Sequence, residues 1–313
     1  MVLLAFIVGA GLDTAHLAYV RAQGQAAVDA AALAAVSAVP TGSATEVNNR
    51  AAAFNSKNKY VGSSSNVITT ANITYCQYSG ADGTIRTSGV TIANANAVRV
   101  ALETRNPHTG STSGTAMRSP LFLTPVIRLF GQSVNAAENV SVSAVAVLKA
   151  SPGLPLAIEQ ARCGRPNPQK LLQSNNNDDN SGYTTYSIHN TSAAQIRALL
   201  KKAYTCGIPP IGTGSPIELN NGVTGTYGDF EDLFRSNRGK CYLIPVVRSG
   251  SNWNQSETIV DFAKFCPDAT QPVIQNGSDK YIQGTVICGQ NPYNVGGVSC
   301  YAPTLVRDLT SGM

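Results

Sequence analysis

Apolar residues fill most of the first twelve positions, and beyond them Leu12, Ala15, Tyr19, Ala22, Ala26, Ala30 and Leu33 recur at spacings of three and four. That repeat marks one face of an α-helix. Alanine occupies many of the positions between, which maximises intrinsic helix propensity, and Pro40 supplies a stop. The pattern predicts a helix over residues 1–39, about 58 Å long at 1.5 Å per residue. Gly9, Gly11 and Gly24 are expected weak points where it could unwind. The charge-free stretch 1–12 is shorter than the ~20 apolar residues of a bilayer span. With no basic residues before it and no cleavage site after it, it does not read as an ordinary signal peptide. So much small apolar surface calls for company, either lipid or sister chains. Its candidate assembly residues are Leu3, Leu4, Phe6, Ile7, Leu12, Asp13, His16, Tyr19 and Leu33. Asp13 and His16 share a helical face. They read either as a polar pair setting register between packed helices or as a solvated or headgroup-level pair.

Beyond Pro40 the periodicity changes. Ser43 and Glu46 have capping-box spacing and open a second helix over 45–56, with 51–54 expected to dock. Residues 67–78 and 84–103 run in β-branched residues around Gly80 and Gly83, which predicts strand, turn, strand. Residues 61–66 and 106–115 read as loops. The apolar stretch 120–130 predicts a core helix kinked at Pro125, and 140–148 alternates as a strand. A boundary falls at the Pro/Gly-rich 151–155. After it, Ser192 and Gln195 cap a helix to about 204, 206–225 is a Gly/Pro-rich loop region, and 230–235 is helical. Residues 242–247, 258–265 and 280–288 are strands of a second small sheet that 299–309 could close. The expected fold class is α+β: a long N-terminal α-helix followed by a mainly β, disulfide-bonded, two-part globular head. Its parts are the assembly helix 1–39, a first α+β domain 40–150, and a second, cysteine-rich and β-rich domain 151–313.

Composition narrows the chemistry. Charged residues make up 13% of the chain and the formal net charge is +5, yet no Lys/Arg run exceeds the pair at 201–202, so nucleic acid is not an expected partner. Seven cysteines occur without CxxC pairs or a nearby His, which argues against zinc and for disulfides in an oxidising compartment. Cys163, Cys206, Cys241, Cys266, Cys288 and Cys300 are the candidates for three bridges, with Cys76 left over; sequence leaves their pairing open. The Asn/Asp run at 175–182 offers hard oxygen ligands, but it lacks the EF-hand register and reads as a polar turn. No GxSxG, Walker loop, GxGxxG or HExxH motif is present, and the three histidines stand apart. Glu231 and Asp232 read as a helix N-terminal charge pair. The chain is expected to be no enzyme and to hold no cofactor or metal.

Residues 11–35 resemble the N-terminal segment of TadG-like proteins of the Tad/Flp pilus system. The likeness rests on Asp13 followed, sixteen residues later, by Asp29-Ala30-Ala31-Ala32-Leu33-Ala34, with Arg21 and Gln25 between them. It is extended loosely by blocks at 217–222, 242–247, 259–265 and 281–284. His16 and Tyr19 depart from that family's usual basic and aromatic placements. The resemblance implies a pilin-like helix, the Tad/Flp assembly machinery as a partner and membrane association before assembly. The expected function is a structural subunit of an extracellular bacterial filament, a helical homopolymer with helices inside and heads outside. A membrane-anchored accessory or minor component of the same system, and a surface adhesin, are the alternatives.

Overall fold

The computed structural model describes residues 2–57, 68–80, 82–103, 116–129, 134–174, 181–186, 191–203, 207–220, 225–248, 253–289 and 300–308. For 2–6, 55–57, 125, 126 and 129 only the backbone is described. The loops expected at 61–66 and 106–115, and all but the last two residues of the Asn/Asp run 175–182, lie outside the described residues. The chain divides into two compact units: Met1–Gln77, Ile85–Val147 and Pro303–Met313 form the first, Tyr78–Thr84 and Leu148–Ala302 the second.

In the first unit, α1 (Val2–Val36) is continuous, and Pro40 starts a short 3-10 turn (Val39–Thr41) after it. Ser43 Oγ accepts the Glu46 N–H at 3.3 Å as α2 (Ala44–Lys57) begins. Glu46 does not complete the box; it pairs with Arg50 at 2.8 Å instead. Ala51 docks as expected, but Phe54 stays exposed. The strands are β1 (Ile73–Tyr78), β2 (Ile85–Arg86), β3 (Ala97–Leu102) and β4 (Met117–Pro120). After α3 (Thr124–Leu129) come β5 (Ala137–Val140) and β6 (Val142–Ala150). Antiparallel β6, β3, β1 and β2 lie side by side, and β4 pairs with β5. The single helix expected over 120–130 is corrected to a strand end, a turn and a six-residue helix. Pro125 lies in the first turn of α3, where its missing N–H costs nothing, so it starts the helix rather than kinking it. The helix α1 packs against α2 and β3 of its own unit.

The second unit holds a closed barrel where a second small sheet was expected. Its strands are β7 (Leu156–Glu159), β8 (Gln169–Leu171), β9 (Ser181–Thr184), β10 (Pro216–Asn220), β11 (Tyr242–Val247) and β12 (Ser256–Pro267). β10 pairs with both β9 and β12, β12 pairs with β11, β11 runs parallel to β7, and β7 pairs with β9. Closure depends on the length of β12: its first residues meet β10, its middle β11, and its end β14 (Asp279–Ile287). β13 (Val273–Asn276) and β8 flank β14. Two helices pack on this sheet, α4 (Ala193–Leu200), opened by a complete Ser192/Gln195 capping box, and α5 (Tyr227–Ser236). Glu231 sits inside α5 and pairs with Arg235, so the acid of the first turn is Asp229 and not the expected 231–232 pair. Phe230, Phe234, Tyr242 and Phe265 stack at the centre of the buried cluster.

The last strand, β15 (Tyr301–Val306), does not close the second sheet; it lies on the edge of the first, beside β6. The charge beyond it explains the placement. Arg99, on β3, is fully buried; it donates two hydrogen bonds to Glu103, at 2.7 and 3.0 Å, and one to Asp308 at 2.7 Å. Ser143 also donates to Asp308 at 3.0 Å. A buried guanidinium needs such partners, and the chain end delivers one.

Disulfides join Cys163 to Cys288 and Cys241 to Cys266, and Cys300 is disulfide-bonded as well. Cys206 lies outside the described residues. Cys76 is a free, buried thiol whose pKa burial pushes up to about 12, so it is protonated and inert.

Two outcomes follow. Asp308→Ala strips a buried cation of a partner and is expected to cost about 3–5 kcal/mol in urea denaturation; loss below 1 kcal/mol would show that the chain end does not fasten this sheet. Removing Cys163–Cys288, with a sequence separation of 125, should destabilise more than removing Cys241–Cys266, with a separation of 25. Chain entropy puts the difference near ~1.4 kcal/mol, read from paired Cys→Ser variants.

Candidate assembly surface on the N-terminal helix

α1 carries two apolar seams. The inner one runs through Leu17, Val20, Gly24, Ala27, Val28, Ala31, Ala32, Ala35 and Val36, half-buried at Leu17 and buried beyond it. Alternating steps of three and four keep it on one side of the helix. The expected weak points are instead contact points. Gly24 lies where Met117 and Val142 approach the helix axis, and Gly9 lies against Leu123; a Cβ at either position would collide with the neighbouring side chain. Gly11 faces open space.

Polar contacts fix the helix along its whole packed length. Asp13 is buried, and its two carboxylate oxygens accept the backbone N–H groups of Phe122, at 2.5 Å, and Leu123, at 3.0 Å. Its burial excludes the solvated reading, and the register it sets within the chain is that of α1 against the turn leading into α3. It terminates the orphan amides ahead of α3, which any short helix leaves unpaired. Beside it the His16 ring meets Phe122 edge-on at 5.0 Å, and its Nε2 is buried without a hydrogen-bond partner among the described residues. One stretch along, Gln25 donates to Asp29 and to the Ser143 carbonyl, both at 2.8 Å. At the C-terminal end, Arg50 of α2 donates to Ser37 Oγ at 3.1 Å and to the Ser37 carbonyl at 3.4 Å, placing a cation where helix carbonyls run out.

The outer seam is the stripe predicted from the sequence, extended by Val8. Val8, Leu12, Ala15, Tyr19, Ala22 and Ala26 are exposed, and Ala30 and Leu33 are half-buried. Ile7 is 63% exposed, Val8 55%, Leu12 56% and Tyr19 55%, with Phe122, beside the helix, at 57%. These are the large hydrophobic side chains most open to solvent among the described residues, ahead of Phe54 and Leu305. Arg21 is the one exposed charge between Ile7 and Leu33. Of the predicted assembly residues, Ile7, Leu12 and Tyr19 thus face outward, Leu33 does so in part, and Asp13 and His16 face the chain's own head. The side chains of Leu3, Leu4 and Phe6 are not described. Sequence reasoning missed Phe122, Leu123 and Met117, of which Phe122 and Leu123 carried a signal as part of an apolar run; Gln25 was singled out for the resemblance but not for its contact with Ser143.

No helix among the described residues is long and apolar enough to cross a membrane. No group of His, Cys, Asp and Glu among them could hold a metal ion. Comparison with protein-family models, curated proteins and solved structures returned no match.

Two substitutions test the fixed half of the helix. Asp13→Ala leaves two amide groups without an acceptor and should cost about 1–2 kcal/mol, with faster hydrogen exchange at the Phe122 and Leu123 amides; unchanged exchange would rule out the contact. Gly24→Val forces Met117 aside and is expected to lower stability by about 1–3 kcal/mol, whereas the open Gly11→Ala should be neutral or stabilising in the same thermal melt.

Proposed function

We propose that this protein is a structural subunit of an extracellular bacterial filament of the Tad/Flp kind, polymerising through its N-terminal helix with the head outside. The observation that carries this reading is the uncovered outer seam of α1, on a helix whose opposite face is already held by its own unit. A contiguous exposed apolar stripe of this kind, from Val8 to Ala26, marks an interaction surface on a folded protein, and its burial is the driving force for association. Fully burying Ile7, Val8 and Leu12 is worth roughly 1.5–3 kcal/mol each. The two disulfides and the bonded Cys300 suit an oxidising, extracytoplasmic site. The low charge content of 13% leaves little repulsion between neighbouring copies. The resemblance of residues 11–35 to TadG-like proteins names the system.

A membrane-anchored accessory of the same machinery is the second reading. It is favoured by one feature: the bulkiest exposed side chains, Ile7, Val8 and Leu12, gather towards the start of α1. Negative-stain microscopy of detergent-free protein separates the two. The filament reading expects fibres of uniform width that Leu12→Asp and Tyr19→Asp abolish while the thermal melt of the head is unchanged. Protein that stays monomeric in buffer, or that is soluble only within micelles, would refute it.

A further inference from the structure

We propose that the second unit binds an acidic sugar, a hydroxylated ring bearing one carboxylate, in a cavity between the C-terminal end of α5 and the link joining β12 to β13. The site belongs to the second unit alone and goes beyond the filament reading, which concerns α1. The cavity measures about 110 Å³. One lip comes from residues 237–240, which leave α5 and lead into β11; the other comes from 267–272, between β12 and β13.

Both lips are fixed from within. Asn237 donates its side-chain amide to the Leu233 carbonyl at 2.9 Å, and the Lys240 N–H returns to the Asn237 carbonyl at 3.2 Å. Gly239 takes the left-handed φ of +75° in this turn, a conformation other side chains rarely adopt. On the other lip, Asp268 Oδ1 accepts the N–H groups of Thr270 and Gln271, both at 2.9 Å. Cys241 and Cys266, next in sequence to Lys240 and Pro267, tie the two lips together by a disulfide. A site held this way is preorganised, so a ligand does not have to order it.

The lining selects the ligand chemistry. Arg235, Arg238 and Lys240 stand there against one carboxylate, Asp268. Arg235 is tied to Glu231 at 2.5 Å, whereas Arg238 has no hydrogen-bond or ion-pair partner among the described residues. Counting Arg238 and Lys240 against Asp268, the lining carries one positive charge in excess, the complement of a monoanion. A guanidinium fork matches a carboxylate through two parallel hydrogen bonds. A dianionic phosphate fits less well. Phosphate favours helix N-termini, and α5 meets this cavity with its carbonyl end, which carries partial negative charge. The amides of Gln271 and Thr270 hold the Asp268 carboxyl below its usual range, so it stays ionised and offers an acceptor to hydroxyl groups. The Thr270 hydroxyl also lines the cavity, and Phe234, Pro267 and Pro272 supply apolar wall for the C–H face of a ring. Acetate leaves the walls and Asp268 unused, and a neutral sugar leaves Arg238 unpaired. A sugar acid uses all three.

Size sets how much of it enters. A cavity of about 150 Å³ takes benzene, so this smaller one takes the carboxylate-bearing edge of a single ring and leaves the rest in solvent. A free uronate and a uronate residue within a polysaccharide offer that same edge.

Isothermal titration calorimetry of the full chain at low salt, with D-glucuronate, D-glucose and inorganic phosphate as probes, tests the assignment. Glucuronate is expected to bind and glucose not. Arg238→Gln should weaken glucuronate by about tenfold, the value of a lost charge-assisted hydrogen bond, while Lys201→Gln, at the exposed end of α4, should leave it unchanged. Arg238 is exposed, so its replacement removes no packing contact, and an unchanged thermal melt verifies the fold of the variant. A glucuronate-containing oligosaccharide that binds more tightly than glucuronate supports a polysaccharide as the source, and equal affinity supports the free acid. Equal heats from glucose and glucuronate, tighter binding of phosphate, wild-type affinity in Arg238→Gln, or no heat from any probe would each overturn the site and leave the filament reading standing.

Discussion

The packing of α1 on its own unit is the constraint from which the rest follows. A free helix this rich in alanine has no preferred azimuth, since small side chains slide over one another at little cost. Here the inner seam is buried from Val20 to Val36, and three polar contacts, at Asp13, Gln25 and Ser37, set both rotation and height. Fixing one face determines what the other presents. The outer stripe is exposed because the inner stripe is occupied, not because the helix is loosely attached.

The same logic places buried charge at the points where the first unit could otherwise come apart. Arg99 lies on β3, the strand against which α1 packs, and its partners come from the strand's own end and from the chain terminus. Neither ion pair is expected to add much stability over an apolar substitute. What they supply is specificity: β15 beside β6 is the arrangement that gives Asp308 its cation and Arg99 its second anion.

Much of this was legible in the sequence where one periodicity rules. The helix, its outer seam and β11 over 242–247 follow from spacing alone, and Ser192 announces α4 through a cap that is local by nature. Failures cluster where the deciding partner is distant in sequence. The stretch 120–130 is apolar enough for a helix, yet β4 claims its start by pairing with β5, and Asp13 holds the turn that follows. Nothing in 299–309 reveals that its anchor is Arg99. The barrel closes because β12 is long enough to serve three neighbours, and a run of β-branched residues does not state how many partners it has. Asp13 is the instructive case, since its polarity on an apolar face was visible but its partners were main-chain amides over a hundred residues away.

A helix already ordered on its own unit changes the energetics of the proposed assembly. A free 35-residue segment would lose backbone and side-chain entropy on docking, roughly 1–2 kcal/mol per residue for the backbone alone, enough to cancel the gain from a seam of alanines. Because tertiary contacts hold α1 from Asp13 to Ser37 within its own unit, that cost is met during folding and would not fall on association. Small side chains then become an advantage, since alanine has no rotamers to lose and lets helices approach closely. The alanine-rich second half of the seam is where the helix is held most tightly, and the bulky first half is where it is most exposed.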